Sequence, residues 1–414
     1  MAYISGNTSE PGRLLIINED TWSIEENRTV SSGDYRINDL DDGEKTVICR
    51  RDDGKSSGFG DVESLVENYQ VFSFGYNNDG QLGLNDIVNR STLIQIGTDS
   101  DWKSVSCGST YTLALKTDDT LWGCGINTSG QLGQNDRVNR STLTQIGTEG
   151  NWKSVSCVNH TLVIKTNGTL WCCGLNNYGQ LGLNNTVNRS TLTQIDTDTD
   201  WKSISAGGTH TVALKTNGTI WACGRNNYGQ LGQNDIVNRS TLTQIGTEGN
   251  WKSVSCVNHT LALKTDGTLW GCGRNSEGQL GLNNIVNRST LTQIGSATDW
   301  KSISAGGNHT LAIKTNGTLW ACGWNLFGQL GLNDRVDRST LTQIGTDSNW
   351  SSVSGGTNHT IVLKTDGTLW DCGNNAQGQL GLNNIVNRST LTQIGSATDW
   401  KSISAGGNHT LASK

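Results

Sequence analysis

The tripeptide Gln-Leu-Gly begins at Gln81, Gln131, Gln180, Gln230, Gln279, Gln329 and Gln379, always preceded by Gly, in steps of 50, 49, 50, 49, 50 and 50 residues. Repeats of this length predict a propeller, an array or a solenoid, because one such unit buries its faces only against its neighbours. Both 49-residue steps have one cause. "SVSCVNHT" (154–161 and 253–260) is one residue shorter than "SISAGGTHT" or "SISAGGNHT".

Each repeat reads as four short strands: "TLTQIG", "WKSISAGG", "HTLALKT" and a closing "TLWACG". Val, Ile, Leu, Thr and Trp recur with period two between Asn, Gly and Asp turn signals. Abundant Gly (52) and scarce Pro (1) suit short strands and tight turns. Stacking such sheets around an axis buries both faces and protects most edges. The expected fold is therefore all-β, a seven-bladed propeller of four-stranded blades. The chain ends at "HTLASK", just before a Trp strand is due, and "QVFSFG" (70–75) supplies that strand from the other end. Phe72 then stands for the strand Trp and Phe74 for the Cys, so the two ends complete one blade together.

Recurring residues fall into registers. Trp102, Trp152, Trp201, Trp251, Trp300, Trp350 and Trp400 open the second strand; Trp122, Trp171, Trp221, Trp270, Trp320 and Trp370 sit on the fourth. Large aromatics at fixed register read as core between blades. His160, His210, His259, His309, His359 and His409 share one position, with Tyr111 in the seventh. A histidine ring invites a metal, but no carboxylate or thiol accompanies it at ligand spacing, so a hydrogen-bonded structural role is expected. The eleven cysteines show no C-x-x-C spacing and read as buried thiols of a reducing compartment. Arg90, Arg140, Arg189, Arg239, Arg288, Arg338 and Arg388, in "VNRST" or "VDRST", could form a basic annulus; the alternative is an arginine tying its loop to a neighbouring blade through carbonyls or Asp.

Residues 1–61 differ. They carry 13 acidic and 7 basic side chains, while residues 62–414 carry 24 of each. Neither part has the basic excess of a nucleic-acid binder, so no nucleic-acid partner is expected. No apolar run is long enough for a membrane span, and "MAYISGNTSE" has neither the basic nor the apolar region of a signal peptide. The expected division is a small β-sandwich attachment module over 1–61 and the propeller over 62–414.

"GRNNYGQLG" (224–232), "ISAGGNHTLAI" (303–313) and their copies resemble the regulator-of-chromosome-condensation repeat family. The likeness runs from about residue 70 to 414, departing from bacterial members at "NRSTLTQI", where Leu stands for a common Pro. The resemblance implies a seven-bladed propeller. Its founding members are nuclear exchange factors for a small GTPase that also bind nucleosomes, through irregular loops that these uniform repeats lack. The plant ultraviolet-B photoreceptor has Gly-Trp-Arg-His-Thr motifs where this chain has Gly-Gly-Asn-His-Thr or shorter, which disfavours that role. A secreted bacterial inhibitor of beta-lactamases shows such a propeller acting purely as a binding surface. At the N-terminus, Gly33 to Leu40 resembles the Gly-x-Tyr-x-Ile-x-x-Leu strand of carboxypeptidase-regulatory-like β-sandwiches, which serve as attachments in phage tail and virion proteins.

There is no P-loop, strand-linked G-x-G-x-x-G, G-x-S-x-G or H-E-x-x-H. Ser and His recur at identical repeat positions, so nothing singles out one nucleophile–base pair. No enzyme, cofactor or metal site is expected. The chain reads instead as a non-enzymatic protein-binding propeller, a phage or viral structural component placed in the virion or host cytoplasm. The alternative is a cytoplasmic regulator or exchange-factor-like partner of a small GTPase. An assembly partner would dock through the N-terminal module.

The repeats also say where binding would sit. Residues 283–312 and 383–412 are identical, yet the positions inside Gly-x-Asn-x-x-Gly differ in every repeat. Neutral drift in a solvated turn favours polar residues, whereas these turns include aromatics of the kind that dominate binding hot spots. The expected partner-binding residues are Tyr76, Tyr178, Arg225, Tyr228, Arg274, Trp324, Leu326 and Phe327, on one rim of the ring.

Overall fold

The computed structural model describes residues 69–414 in full, and the backbone of residues 2–8, 12–18, 23–30, 33–40 and 45–51. The chain divides into two compact units, Met1–Asn68 and Tyr69–Lys414. In the first, Ala2–Thr8 pairs antiparallel with Gly33–Leu40, and Ser23–Val30, Gly12–Asn18 and Lys45–Arg51 form a three-stranded sheet in that order. The side-chain packing that a β-sandwich requires lies outside the described residues.

The second unit is seven four-stranded antiparallel sheets. A typical blade runs Trp201–Ala206, His210–Lys215, Ile220–Gly224 and Arg239–Gln244, each strand paired with the next. This corrects the expected phase of the repeat. The "STLTQ" strand does not open the blade that follows it; it pairs back onto the preceding Trp strand, as Trp221 opposite Gln244 shows. Gly-Gln-Leu-Gly therefore lies in the long connection inside a blade, not between blades.

The phase also decides how the ring closes. The seventh sheet takes Ser402–Ala405 and His409–Ser413 from the C-terminus, and Val71–Gly75 and Arg90–Gln95 from the N-terminal side. Two strands come from each end. Phe72 pairs with Ala412 and meets Trp400 edge-on at 5.1 Å, the arrangement that a tryptophan pair makes in each of the other six blades, as with Trp300 and Trp320 at 6.0 Å.

Packing follows the registers. The second strands, from Tyr111–Lys116 to His359–Lys364, are buried except at the half-buried Lys314 and Lys364. Trp152 joins Tyr111, Leu113 and Leu132 of the preceding blade in one cluster, so these tryptophans do fill the space between blades. Within each blade a lysine covers the aromatic pair: Lys116 Nζ lies 4.9 Å and 4.8 Å from the Trp102 and Trp122 ring centres and pairs with Asp99 at 2.7 Å. Such partly desolvated cation–π contacts are worth about 1 kcal/mol each.

Three closed circuits of hydrogen bonds link the blades. In the first, each strand-two histidine reaches a threonine of the next blade: His160 to Thr211 at 2.7 Å, His210 to Thr260 at 2.9 Å, and so on to His409 and Thr112 at 3.2 Å. Tyr111 and Thr161 complete it at 3.0 Å. In the second, those threonine hydroxyls donate to the carbonyl of the repeat Gln in the blade before, as Thr112 does to Gln81 at 2.8 Å. Each hydroxyl has one proton, already committed, so the histidine Nε2 must be the donor. Burial holds His160, His259 and His359 neutral with pKa lowered to about 3, and His210, His309 and His409 to about 4.

The third circuit runs around the axis and explains the shortened loops. The Gly208 N–H donates to the Val257 carbonyl of the next blade, and Gly307 to Gly356, Thr357 to Gly406 and Gly407 to Gly108 likewise. Where the loop is one residue short, the Asn159 and Asn258 side-chain amides make the equivalent bond to Gly208 and Gly307, both at 2.9 Å. The 49-residue steps thus replace a backbone donor by a side-chain donor.

Candidate functional site

The invariant letters of Gly-x-Asn-x-x-Gly-Gln-Leu-Gly build a platform. In "GWNLFGQLG", Asn325 is fully buried; its Oδ1 accepts the Leu330 N–H at 2.9 Å, and its Nδ2 donates to Asp334 Oδ1 at 3.0 Å. The Asn325 N–H is held at 2.8 Å by Asp337, and in the other loops by the Asn of "VNRST", such as Asn238 for Asn226. Gly328 has φ +86°, and a Cβ there would lie 2.4 Å from the Ser389 Cα of the next blade. The Gln329 Oε1 accepts the Phe327 N–H at 3.0 Å, and Leu330 is fully buried. The four-residue signature recurs because it is the joint at which one blade seats on the next.

The variable letters stand on that platform. Their first position is tied beside the axial loops, since the N–H of Tyr76, Ile126, Arg225, Trp324 and Asn374 donates to the residue before the ring His or Tyr111. In the other two, Gly174 and Gly273, just before Leu175 and Arg274, pair with His160 and His259, so all seven loops occupy one face of the ring. Their middle position is exposed, and Leu326, at 53% exposure, is the one large apolar residue there.

Four consecutive loops, from Leu175 to Phe327, hold seven of the eight expected residues. The Arg225 guanidinium lies 5.2 Å from the Tyr178 ring centre and 5.6 Å from that of Tyr228. The Arg274 guanidinium, in the next loop, lies 5.9 Å from the Tyr228 ring centre and donates to Glu277 at 2.8 Å and to Ser276 at 2.9 Å. Trp324 and Phe327, in the loop after that, meet edge-on at 5.4 Å. Tyr76 stands apart, separated from this run by the loops of Ile126 on one side and Asn374 on the other. Sequence reasoning missed Glu277, which commits Arg274, and it did not foresee that Tyr178 and Arg225 of different blades meet.

The other recurring groups are structural. The seven arginines of "VNRST" bond within their own loop rather than to a neighbouring blade, which corrects one detail of the expectation. Arg140 pairs with Asp136 at 2.5 Å and donates to the Val138 carbonyl at 2.7 Å; Arg189, Arg288 and Arg388, whose loops carry Asn for Asp, reach the valine carbonyl. The cysteines of the described residues are all free and buried, and burial pushes Cys173, Cys223 and Cys272 up to about 12. Among the described residues no group of three or more His, Cys, Asp or Glu is placed to hold a metal ion. Around the same face, Val88, Val138, Val187, Val237, Val286, Val336 and Val386 project with 57–61% exposure, a repeated feature that the sequence reading passed over.

Among solved structures, human WBSCR16 is similar over 83% of this chain and 98% of its own, with 21% identity and a TM-score of 0.75. Prp20p from Saccharomyces cerevisiae, described with its binding properties to Gsp1p and histones, is similar over 84% and 92%, with 20% identity and a TM-score of 0.77. Yeast RCC1 (Prp20) in its Kap60-bound structure gives 84%, 89%, 19% and 0.76 in the same order. No curated protein matches the sequence. Regulator of chromosome condensation (RCC1) repeats match at 300–329 and 350–379, and in a second description at 316–363 and 366–413. The RCC1-like domain itself matches residues 55–296, more than half of the chain, and with that match the seven blades and their Gly-Gln-Leu-Gly joints place this protein in the RCC1-like domain family.

Proposed function

We propose that this chain is a protein-recognition propeller whose partner docks on the loop face between Tyr178 and Phe327. One observation carries the reading. The side chains that vary between otherwise near-identical repeats gather two tyrosines, two arginines and a Trp–Phe pair in four consecutive loops. Tyr, Trp and Arg are the residues enriched at binding hot spots, and here a fixed backbone platform holds them.

For the partner class, regulation of a small GTPase takes precedence over attachment in a virion. The family resemblance points to GTPase exchange, and the similar Prp20p is described as binding Gsp1p and histones. Nothing in the comparisons supports a phage or viral setting, and the assembly role of residues 1–61 has no support from them either. The test is nucleotide release from a panel of purified small GTPases loaded with fluorescent nucleotide. Accelerated release from one of them at substoichiometric protein is the expected result. A panel in which no member binds or releases faster removes the GTPase class.

A further inference from the structure

We propose that Arg225 is a receptor for a single carboxylate, so that the loop face takes an acidic segment of its partner that also carries a bulky apolar side chain. This rests on the reading of that face as the docking surface.

The two arginines of the cluster are in different states. Arg274 has its fork occupied, by Glu277 at 2.8 Å and Ser276 at 2.9 Å. Arg225 has no ion pair among the described residues, and its Nε, buried, has no hydrogen-bond partner. Its neighbours are aromatic: the Tyr178 and Tyr228 ring centres lie 5.2 Å and 5.6 Å from the guanidinium. These contacts supply no oxygen acceptor, so the fork is left without a hydrogen-bond partner among the described residues. A planar fork of this kind matches a carboxylate with two parallel hydrogen bonds, and holding it beforehand lowers the entropy lost on binding.

The surroundings select a carboxylate over a polyanion. Glu277 cancels the charge of Arg274, which leaves one uncompensated cation in the cluster. Residues 62–414 balance at 24 acidic and 24 basic side chains, without the basic excess of a protein that tracks a phosphate backbone. Beyond Arg274 the surface turns apolar, with Trp324 edge-on to Phe327 and Leu326 more than half exposed. One cation followed by one apolar cluster is complementary to Asp or Glu a short way along a segment from an aromatic or aliphatic residue.

The test is selection of a display library of random twelve-residue peptides on the full-length protein, with each recovered peptide then measured against three variants. Peptides enriched in Asp or Glu, whose affinity falls on the order of tenfold in Arg225→Gln, are expected. Arg225→Lys, which keeps the charge without the fork, should recover only part of the affinity. Peptides that bind Arg225→Gln as well as wild type, yet are lost on Trp324→Ala/Phe327→Ala, overturn the carboxylate receptor and leave the docking face standing. Peptides indifferent to all these changes overturn the docking face itself. A selection that yields no Arg225-dependent peptide, or Arg225-dependent binding of a fluorescent single-stranded oligonucleotide instead, also overturns the proposal.

Discussion

His409 donates from Nε2 to the hydroxyl of Thr112 at 3.2 Å, joining the last strand of the chain to the second strand of the first blade across 297 positions of sequence. That bond is the closing member of a seven-fold circuit in which six imidazoles are neutral donors with no partner at Nδ1. The circuit makes the whole ring sensitive to acid. The histidines have folded pKa values near 3 to 4 against an ordinary value of 6.5. Because the folded values are depressed, stability is fully present above about pH 6.5 and is lost as pH falls toward them. Each histidine contributes a loss of about 1.4 kcal/mol per pH unit in that window. Six together exceed the usual stability of a domain within about one to two units. Cooperative unfolding near pH 5, with uptake of several protons, is the expected outcome of melting temperature measured against pH. A slope equivalent to one proton or none would mean that the imidazoles are not buried neutral.

Asp371 works in the opposite direction. It is fully buried in the third strand of its blade, opposite Ile361 and Thr392, and neither carboxyl oxygen has a partner. Burial raises its pKa well above the usual carboxylate range. A raised folded pKa means that the contribution is fully present at low pH and is lost as pH rises from about 4 toward the folded value. Ala222 and Ala321 hold the same register in other blades, so Asp371→Ala fits without a new cavity. The variant should be more stable by about 1–3 kcal/mol at pH 7, and the gain should shrink as pH approaches 4. A variant no more stable than wild type at pH 7 would show that the carboxyl has a partner after all.

Closure gives a third expectation. Val71–Gly75 is paired on both sides, with His409–Ser413 and Arg90–Gln95, and Gln70 exchanges backbone bonds with Lys414 at 2.8 and 3.1 Å. Deleting residues 69–75 removes the third strand of the seventh blade, separates its two halves and exposes strand edges. It should abolish cooperative melting, or leave an aggregating chain. Deleting residues 1–61 should leave the propeller transition within a few degrees, as followed by tryptophan fluorescence. The reverse pattern would show that the ring is closed some other way.

Some of this was legible in the sequence and some was not, for definite reasons. The period shows the number of blades, and the missing Trp strand after "HTLASK" is visible as "QVFSFG" at the other end. The phase of the blade is hidden, because "TLTQ" lies near two Trp strands in sequence and only the pairing of Trp221 with Gln244 decides between them. The histidines read as hydrogen-bonded, but their partners lie about 50 residues away in the next blade, where no local pattern marks them. The same distance hid the contact of Tyr178 with Arg225. Asp371 was passed over because period-two reading scores a strand as a whole, and one carboxylate in "TLWDCG" does not break it.

Trp324 and Phe327 are half-buried, and their mutual edge-on contact at 5.4 Å is of a type worth only about 0.5–1.5 kcal/mol. The platform beneath them is held by Asn325, Gln329 and Leu330, through bonds that use the backbone of the variable residues and not their side chains. Stability and recognition are therefore separable at this loop. Trp324→Ala/Phe327→Ala should shift the melting temperature by only a few degrees, while Gly328→Ala, whose Cβ would strike Ser389, should lower it far more. Against a GTPase identified by the release assay, or a peptide recovered on the loop face, the double variant should lose at least about 2 kcal/mol of affinity. Leu326→Ala alone should cost less, because an exposed aliphatic side chain without a ring partner desolvates less surface on docking. Full affinity in the double variant, with the fold intact, would move the binding surface to another part of the ring.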